Sequence, residues 1–282
     1  TATFMSPANS HKMTQYLSTL GNPKNPPLVF LHGFLGKGKS WLEIARPFSD
    51  RFYCIMPDLP GHGDNTQLDI TTPLNFDILT EWLSRLLDQI PVSKIHLVGY
   101  SLGGRAALTF ACRYPERILT LTLESANPGI TDESERARRL AEDTVRAESI
   151  LEDGMPAFVE NWYHMPLFAS LKFHPQKFTA IKESAKSNRP DWMAKVIREL
   201  SPGTQTPLWD SLSNLSFPVL LIAGEKDEKY VQVIHKMAKR IPNSRSVIVP
   251  EAGHNVHAEQ SEEFIALIRS ATFMSPNARQ AP

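Results

Sequence analysis

The sequence predicts an α/β fold, a mostly parallel sheet covered by helices on both faces, and three observations predict it. Short apolar runs such as Leu28-Val29-Phe30-Leu31 and Val219-Leu220-Leu221-Ile222 are bounded by turn signals, as strands buried on both faces require. These runs alternate with segments of helical period, and that βαβα rhythm gives a parallel sheet flanked by helices. Finally, Ile95-His96-Leu97-Val98 leads through Gly99-Tyr100-Ser101-Leu102-Gly103 into the apolar-periodic stretch Ala106 to Cys112, which reads as strand, tight turn and helix.

Taken in order, residues 15–20 form a candidate edge strand, and Asn22-Pro23-Lys24-Asn25-Pro26-Pro27 breaks the chain before the Leu28 strand. That strand ends in His32-Gly33-Phe34, where the chain turns above the sheet. Residues 41–48 read as a helix, Tyr53-Cys54-Ile55-Met56 as a strand, and Asp58-Leu59-Pro60-Gly61-His62-Gly63 as a loop. Phe76, Leu79, Leu83, Leu86, Leu87 and Ile90 recur at helical spacing and leave Asp77, Glu81, Arg85 and Asp88 outside. After the Ile95 strand and its helix, residues 119–123 give another strand. From about Asn127 to Trp209 no buried strand is evident and charged helical patterns take over, ending in the aromatic-rich stretch Phe158 to Phe168; this segment reads as an inserted helical lid. The core resumes with the Val219 strand, a helix over 230–240, a strand over 246–249 and a closing helix over 261–269. The expected organisation is therefore core over 13–126, lid over 127–209, core again over 210–270, and tails at 1–12 and 271–282.

The tails carry an oddity: Ala2-Thr3-Phe4-Met5-Ser6-Pro7 recurs as Ala271-Thr272-Phe273-Met274-Ser275-Pro276. Both copies lie outside the patterned core, so an appended or tail sequence fits better than a solenoid repeat, with Met13 as a candidate natural start.

Composition narrows the function. In 282 residues, 30 Lys and Arg balance 30 Asp and Glu, and that neutrality argues against a nucleic-acid or membrane-surface role. Cys54 and Cys112 both sit in apolar segments, which suits buried reduced thiols. No apolar run reaches the roughly 18 residues of a membrane span. The expectation is a soluble, cytoplasmic protein without stable membrane insertion; oligomeric state stays open.

Gly99-Tyr100-Ser101-Leu102-Gly103 matches G-x-S-x-G, the nucleophile elbow, in which flanking glycines let the backbone turn sharply and push the serine hydroxyl out above the sheet. A serine hydroxyl is inert until a histidine takes its proton, and the histidine needs a carboxylate to fix its tautomer. Both partners follow strands. Ala223-Gly224-Glu225-Lys226-Asp227 puts Asp227 past the Val219 strand, and Pro250-Glu251-Ala252-Gly253-His254 puts His254 past the next. The order Ser101, Asp227, His254 is that of the α/β-hydrolase arrangement. Glu225 is the alternative carboxylate, although Asp227 lies deeper in the loop. Asp58 and His62 also follow a strand, but Pro60-Gly61-His62-Gly63 reads more simply as a structural turn. His257 either lines the pocket or caps the last helix. The N–H groups of Leu102 and Phe34 are the candidate oxyanion donors, with His32 turning the loop that carries Phe34.

Arg105 departs from a plain esterase. Four residues beyond Ser101 on one helix, it faces the same side, and a cation there needs either a structural ion pair or a substrate carboxylate. The lid adds Arg136, Arg138, Arg139 and Arg146, of which the first three cannot all point inward.

Three groups of residues together resemble the 2-succinyl-6-hydroxy-2,4-cyclohexadiene-1-carboxylate synthase family. They are Gly99-Tyr100-Ser101-Leu102-Gly103-Gly104-Arg105, Asn161-Trp162-Tyr163 with Phe168-Ala169-Ser170-Leu171, and Ala252-Gly253-His254-Asn255-Val256-His257. The resemblance runs from about Leu28 to Arg269, and Glu160-Asn161-Trp162-Tyr163 and Gly224-Glu225-Lys226-Asp227 also look close to the plant branch, the last module of a larger fused protein. It implies a lyase of menaquinone and phylloquinone biosynthesis that eliminates pyruvate from a small polyanionic cyclohexene carboxylate, with no cofactor or metal. By position it implies Ser101 as base with His254 and Asp227 behind it, and Phe34 and Leu102 steadying an oxyanion. Arg105 and Arg139 match carboxylate-binding arginines, Tyr100, Trp162 and Tyr163 match pocket aromatics, and Lys186 stands where the family has an arginine, with the charge but not the bidentate fork. The alternatives are a serine hydrolase, either an esterase or a carbon-carbon bond hydrolase, and a non-catalytic ligand-binding member of the fold.

Overall fold

The computed structural model describes residues 15–90 and 92–273. Seven strands form one sheet: β1 (Leu17–Leu20), β2 (Pro27–Leu31), β3 (Tyr53–Pro57), β4 (Ile95–Tyr100), β5 (Ile118–Glu124), β6 (Val219–Gly224) and β7 (Ser244–Val249). Their order across the sheet is β1-β3-β2-β4-β5-β6-β7, and all neighbours are parallel except the edge pair β1 and β3.

Successive side chains of a strand point to opposite faces, so a strand buried on both sides feeds two cores. Leu28 and Phe30 enter one core with Trp41, Phe48 and Phe264, while Val29 and Leu31 enter the other with Leu83, Leu108 and Phe110. The first core is closed by a string of short turns, Gly38–Trp41, α1 (Leu42–Ala45) and Arg46–Phe48, where residues 41–48 were expected to form one helix. Pro47 sits in the first turn of the last piece, and a proline's missing N–H breaks the continuous α ladder. The second core receives α2 (Phe76–Leu87), capped by Asn75 accepting from the Ile78 N–H, and α3 (Leu102–Arg113). Such a cap contributes about 1 kcal/mol.

Between β5 and β6 the chain leaves the sheet for α4 (Glu133–His164), α5 (Pro175–Lys186) and α6 (Pro190–Glu199). The first of these is two helices joined across a kink at Gly154, whose φ of 78° with Pro156 just beyond interrupts the helical run. The helix α7 (Glu228–Ala238) starts two residues before the expected 230, because Asp227 accepts from Tyr230 N–H and acts as its cap. Two helices, α8 (Val256–Glu259) and α9 (Ser261–Phe273), close the fold. The last runs past the expected end at 269: Thr272 is buried and its hydroxyl donates to the Ile268 carbonyl at 3.0 Å. The second copy of the repeated hexapeptide thus begins inside this helix, whereas the first copy, Met13 and residues 274–282 lie outside the described residues.

Candidate active site

The elbow is a strained turn held from several sides. Ser101 has φ 51°, a left-handed conformation that costs roughly 1–3 kcal/mol outside glycine. It is held there because its N–H donates to the Glu124 carbonyl at 2.9 Å and its carbonyl accepts from Arg105 N–H at 3.0 Å. The following helix packs against the end of β2 so closely that a Cβ on Gly103 would lie 2.3 Å from the Leu31 carbonyl oxygen. Close approach of this kind is what the second glycine of the motif permits.

Ser101 Oγ lies 3.1 Å from His254 Nε2, and His254 Nδ1 lies 2.7 Å from Asp227 Oδ2. Asp227 and His254 are buried, while Ser101 opens onto a cavity of about 900 Å³. With Nδ1 donating to the carboxylate, Nε2 carries the lone pair facing the hydroxyl. Glu225, the alternative carboxylate, is exposed and accepts instead from the Glu251 N–H.

Leu102, which supplies one candidate oxyanion N–H, is the first residue of α3, so that N–H is one of the unpaired donors at a helix start. Phe34, carrier of the other, sits in the turn after β2, its ring packed edge-on against Trp162 with centroids 5.1 Å apart. That turn is braced by buried histidines. His32 Nε2 accepts from Leu59 N–H at 2.9 Å while its Nδ1 donates to the Gly33 carbonyl, and burial holds the ring neutral. His62 is fully buried against the rings of His32 and Phe34, and burial holds it well below the usual histidine range, away from the Ser101 chain.

Arg105 lines the same cavity and is 8% exposed. Its guanidinium donates to the Leu200 carbonyl at 2.9 Å and to Gln205 Oε1 at 3.2 Å, and lies 5.0 Å over the Phe76 ring. Burial pulls its pKa down to about 10, so it remains a cation at neutral pH, held by neutral acceptors. Arg139 also lines the cavity and pairs with Asp143 at 2.8 Å. Asp143 is fully buried and further accepts from Arg146 at 2.6 Å and Ser201 at 2.7 Å. Arg136 reaches toward the Gly203 carbonyl and Arg138 is exposed beside Glu142, so Arg139 alone of the three turns inward.

The aromatic residues Tyr100, Trp162 and Tyr163 complete the wall. Burial, followed by the nearby Glu124, pushes the Tyr100 phenol well above its usual range, and burial alone raises that of Tyr163, so both are neutral. Lys186 is not brought to the cavity. Its ammonium pairs with Glu183 at 2.8 Å and Glu160 at 3.1 Å on the outside of the lid, and those carboxylates raise its pKa. The structure thus does not bring the expected substrate contact at Lys186 to the cavity, because the acidic neighbours Glu183 and Glu160 hold its ammonium.

His257, left open by the sequence, both lines the cavity and stabilises the closing helices. Its Nδ1 and N–H bond the two oxygens of the fully buried Glu124 at 2.7 and 2.9 Å, and its carbonyl accepts from the Ser261 hydroxyl. Glu124, Asp143 and Gln205 escape a reading of the sequence because each acts through a partner distant in the chain. The one signal was Glu124 at a strand's carboxyl end.

Among the described residues no helix is long and apolar enough to cross a membrane, and no cluster of metal-ligating side chains occurs.

A parallel sheet with a serine elbow at one strand end, and the carboxylate and histidine after two later strands, defines a class of enzyme, and a family model described as alpha/beta hydrolase fold matches residues 26–261. The chain belongs to that fold family. It is 32% identical to 2-succinyl-6-hydroxy-2,4-cyclohexadiene-1-carboxylate synthase of Serratia proteamaculans (strain 568), over 89% of this chain and 94% of the relative. The solved structure of MenH from S. aureus superposes with a TM-score of 0.86 at 37% identity, covering 90% of this chain and 97% of that one. The chloroplastic protein PHYLLO of Arabidopsis thaliana is 34% identical over 88% of this chain, which spans only 15% of PHYLLO's length. Within the α/β hydrolases, the chain belongs to the 2-succinyl-6-hydroxy-2,4-cyclohexadiene-1-carboxylate synthase family.

Proposed function

We propose that this protein is a lyase of menaquinone or phylloquinone biosynthesis that eliminates pyruvate from 2-succinyl-5-enolpyruvyl-6-hydroxy-3-cyclohexene-1-carboxylate. The observation that carries the reading is Arg105: a buried cation, one helical turn from Ser101, whose hydrogen bonds go to neutral acceptors. Holding an unneutralised cation out of water is costly, and a substrate carboxylate would supply the missing charge through a charge-assisted pair. Arg139 offers the second such contact once a substrate carboxylate competes with Asp143.

In this mechanism His254, held by Asp227, draws the proton from Ser101, and Ser101 takes a proton from a ring carbon next to the succinyl ketone. The electron pair moves into the ring as the ring-carbon to oxygen bond of the enolpyruvyl group breaks. Negative charge on the ketone oxygen meets the N–H groups of Phe34 and Leu102. The departing enolpyruvate takes up one proton at carbon and becomes pyruvate, so the sum is one substrate to two products with no water consumed. Ser101 acts as a base throughout and forms no covalent bond. The substrate is a small polyanion, and the neutral chain suits no nucleic-acid partner; we place the activity in a soluble compartment, the cytoplasm or an organelle interior.

The test is pyruvate release from this substrate measured beside hydrolysis of simple aryl esters. Faster elimination than ester hydrolysis supports the lyase. Steady ester turnover without pyruvate supports the serine hydrolase that the same three side chains would also serve.

A further inference from the structure

The turn that carries Phe34 is clamped by the lid. Gly36 N–H donates to the Gly33 carbonyl at 3.0 Å, so Phe34 and Leu35 are the central residues of a tight turn, and Leu35 has φ 66°. That is a position where glycine is normally required, because a side chain there crowds the backbone. A leucine persists in such a conformation only when its surroundings over-determine it.

The surroundings are supplied by the lid turn between α5 and α6. Asn188 Nδ2 donates to the Leu35 carbonyl at 2.9 Å and to the Ala185 carbonyl at 3.1 Å, while Oδ1 accepts from Gly63 N–H at 2.9 Å. The side-chain amide thus spends both hydrogens and its oxygen, and the residue is 5% exposed. One amide joins three pieces of chain: the oxyanion turn, the loop after β3, and the lid. Its neighbour Ser187 accepts from Lys37 Nζ at 2.5 Å, a second tether to the same segment. The β3 loop is itself rigid, since Asp58 accepts from Gly38 N–H at 2.7 Å and from Asp64 N–H at 2.9 Å.

We propose that Asn188 is a positioning residue: by fixing the Leu35 carbonyl it holds the turn that aims the Phe34 N–H at the developing oxyanion, so lid seating and oxyanion stabilisation are one event. This rests on Phe34 as an oxyanion donor, and not on the identity of the substrate. Without the amide, Leu35 relaxes from positive φ, and the Phe34 N–H turns with it.

The experiment compares full-length wild type with Asn188→Ala, Asn188→Asp and Ser187→Ala. Asn188→Asp keeps the acceptor for Gly63 but loses the donor to both the Leu35 and the Ala185 carbonyls, so it removes turn-setting while leaving the Gly63 link between the lid and the β3 loop in place. Both Asn188 variants should lose about tenfold or more in kcat for pyruvate release, with KM changed less than about threefold, since misaimed transition-state contacts act on kcat. Ser187→Ala, which removes the second tether and a local bond to the Ser184 carbonyl but leaves Asn188 in place, should keep kcat within about twofold, as peripheral contacts do. Overturning results are a kcat near wild type in folded Asn188→Asp, or a loss confined to KM and thermal midpoint, either of which makes Asn188 a lid anchor only. If the wild type releases no pyruvate, the functional reading fails by itself, and the same comparison is made on p-nitrophenyl acetate hydrolysis, which draws on the same donor. An unchanged ester kcat there overturns the proposal.

Discussion

Arg105 stands one helical turn beyond Ser101, and its guanidinium reaches the Leu200 carbonyl at 2.9 Å, so this buried cation of the cavity wall is held by a neutral oxygen. Replacing it by methionine keeps most of the packing and removes the charge. Elimination by Arg105→Met should fall at least about 100-fold, equivalent to roughly 3 kcal/mol, with much of the effect in KM. Folding should suffer little, because relief from burying an unpaired cation offsets two lost hydrogen bonds. A collapse of the thermal midpoint in step with activity would make Arg105 structural.

Asp227 has two tasks, orienting His254 at 2.7 Å and capping α7. Asparagine retains the cap but offers His254 the wrong polarity. Asp227→Asn should therefore fold normally yet lose about 10³–10⁴ in kcat. Adding Ser101→Ala to it should cost little more, because groups that act as a unit are not additive. Steady-state kinetics of the two single variants and the double variant check this; multiplicative losses would contradict it.

Gly103 separates a backbone requirement from a chemical one. Its substitution by alanine forces a Cβ to within 2.3 Å of the Leu31 carbonyl oxygen and 2.4 Å of the His32 carbonyl oxygen, both backbone atoms that cannot yield. Denaturant unfolding of Gly103→Ala should show a loss of about 3 kcal/mol or more. Gly154→Ala, where the nearest atom is the Pro156 Cδ at 3.8 Å, meets no clash and should lose about 1–3 kcal/mol from the positive φ alone.

His96 is buried beside Phe52 with Nδ1 near the Thr120 hydroxyl, and burial pulls its pKa down to about 4. The unfolded chain takes up this proton near pH 6.5, before the folded protein does. Stability from this site is thus complete above pH 6.5 and is lost as pH falls toward 4, at up to about 1.4 kcal/mol per pH unit. Thermal midpoints of His96→Asn should fall less steeply than those of wild type between pH 6.5 and 4. Parallel profiles would refute the assignment.

How much of this was legible in the sequence follows from the range of the interactions. The strands were readable because a run buried on both faces is apolar in every position, and Ser101, Asp227 and His254 because each follows such a strand. Helix ends were missed where a side chain decides them, as Asp227 does for α7 and Thr272 for α9. The lid was harder. Lys186 carries the right charge, but its direction depends on Glu160 in another helix, and Asp143 is a cavity residue only because Ser201 and two arginines converge on it. Asn188 gave no sign at all, since its partners Leu35 and Gly63 are backbone groups far away in the chain.

In the proposed mechanism Ser101 works as a base on a carboxylate-bearing substrate and never as a nucleophile. This is tested most directly by a single turnover with excess enzyme, following pyruvate release and the intact protein mass together. The expected result is one equivalent of pyruvate, no added mass on the enzyme at any time, and no release from Ser101→Ala. A mass adduct on Ser101 that forms and decays with turnover, or the absence of pyruvate from the folded wild-type protein, would contradict it.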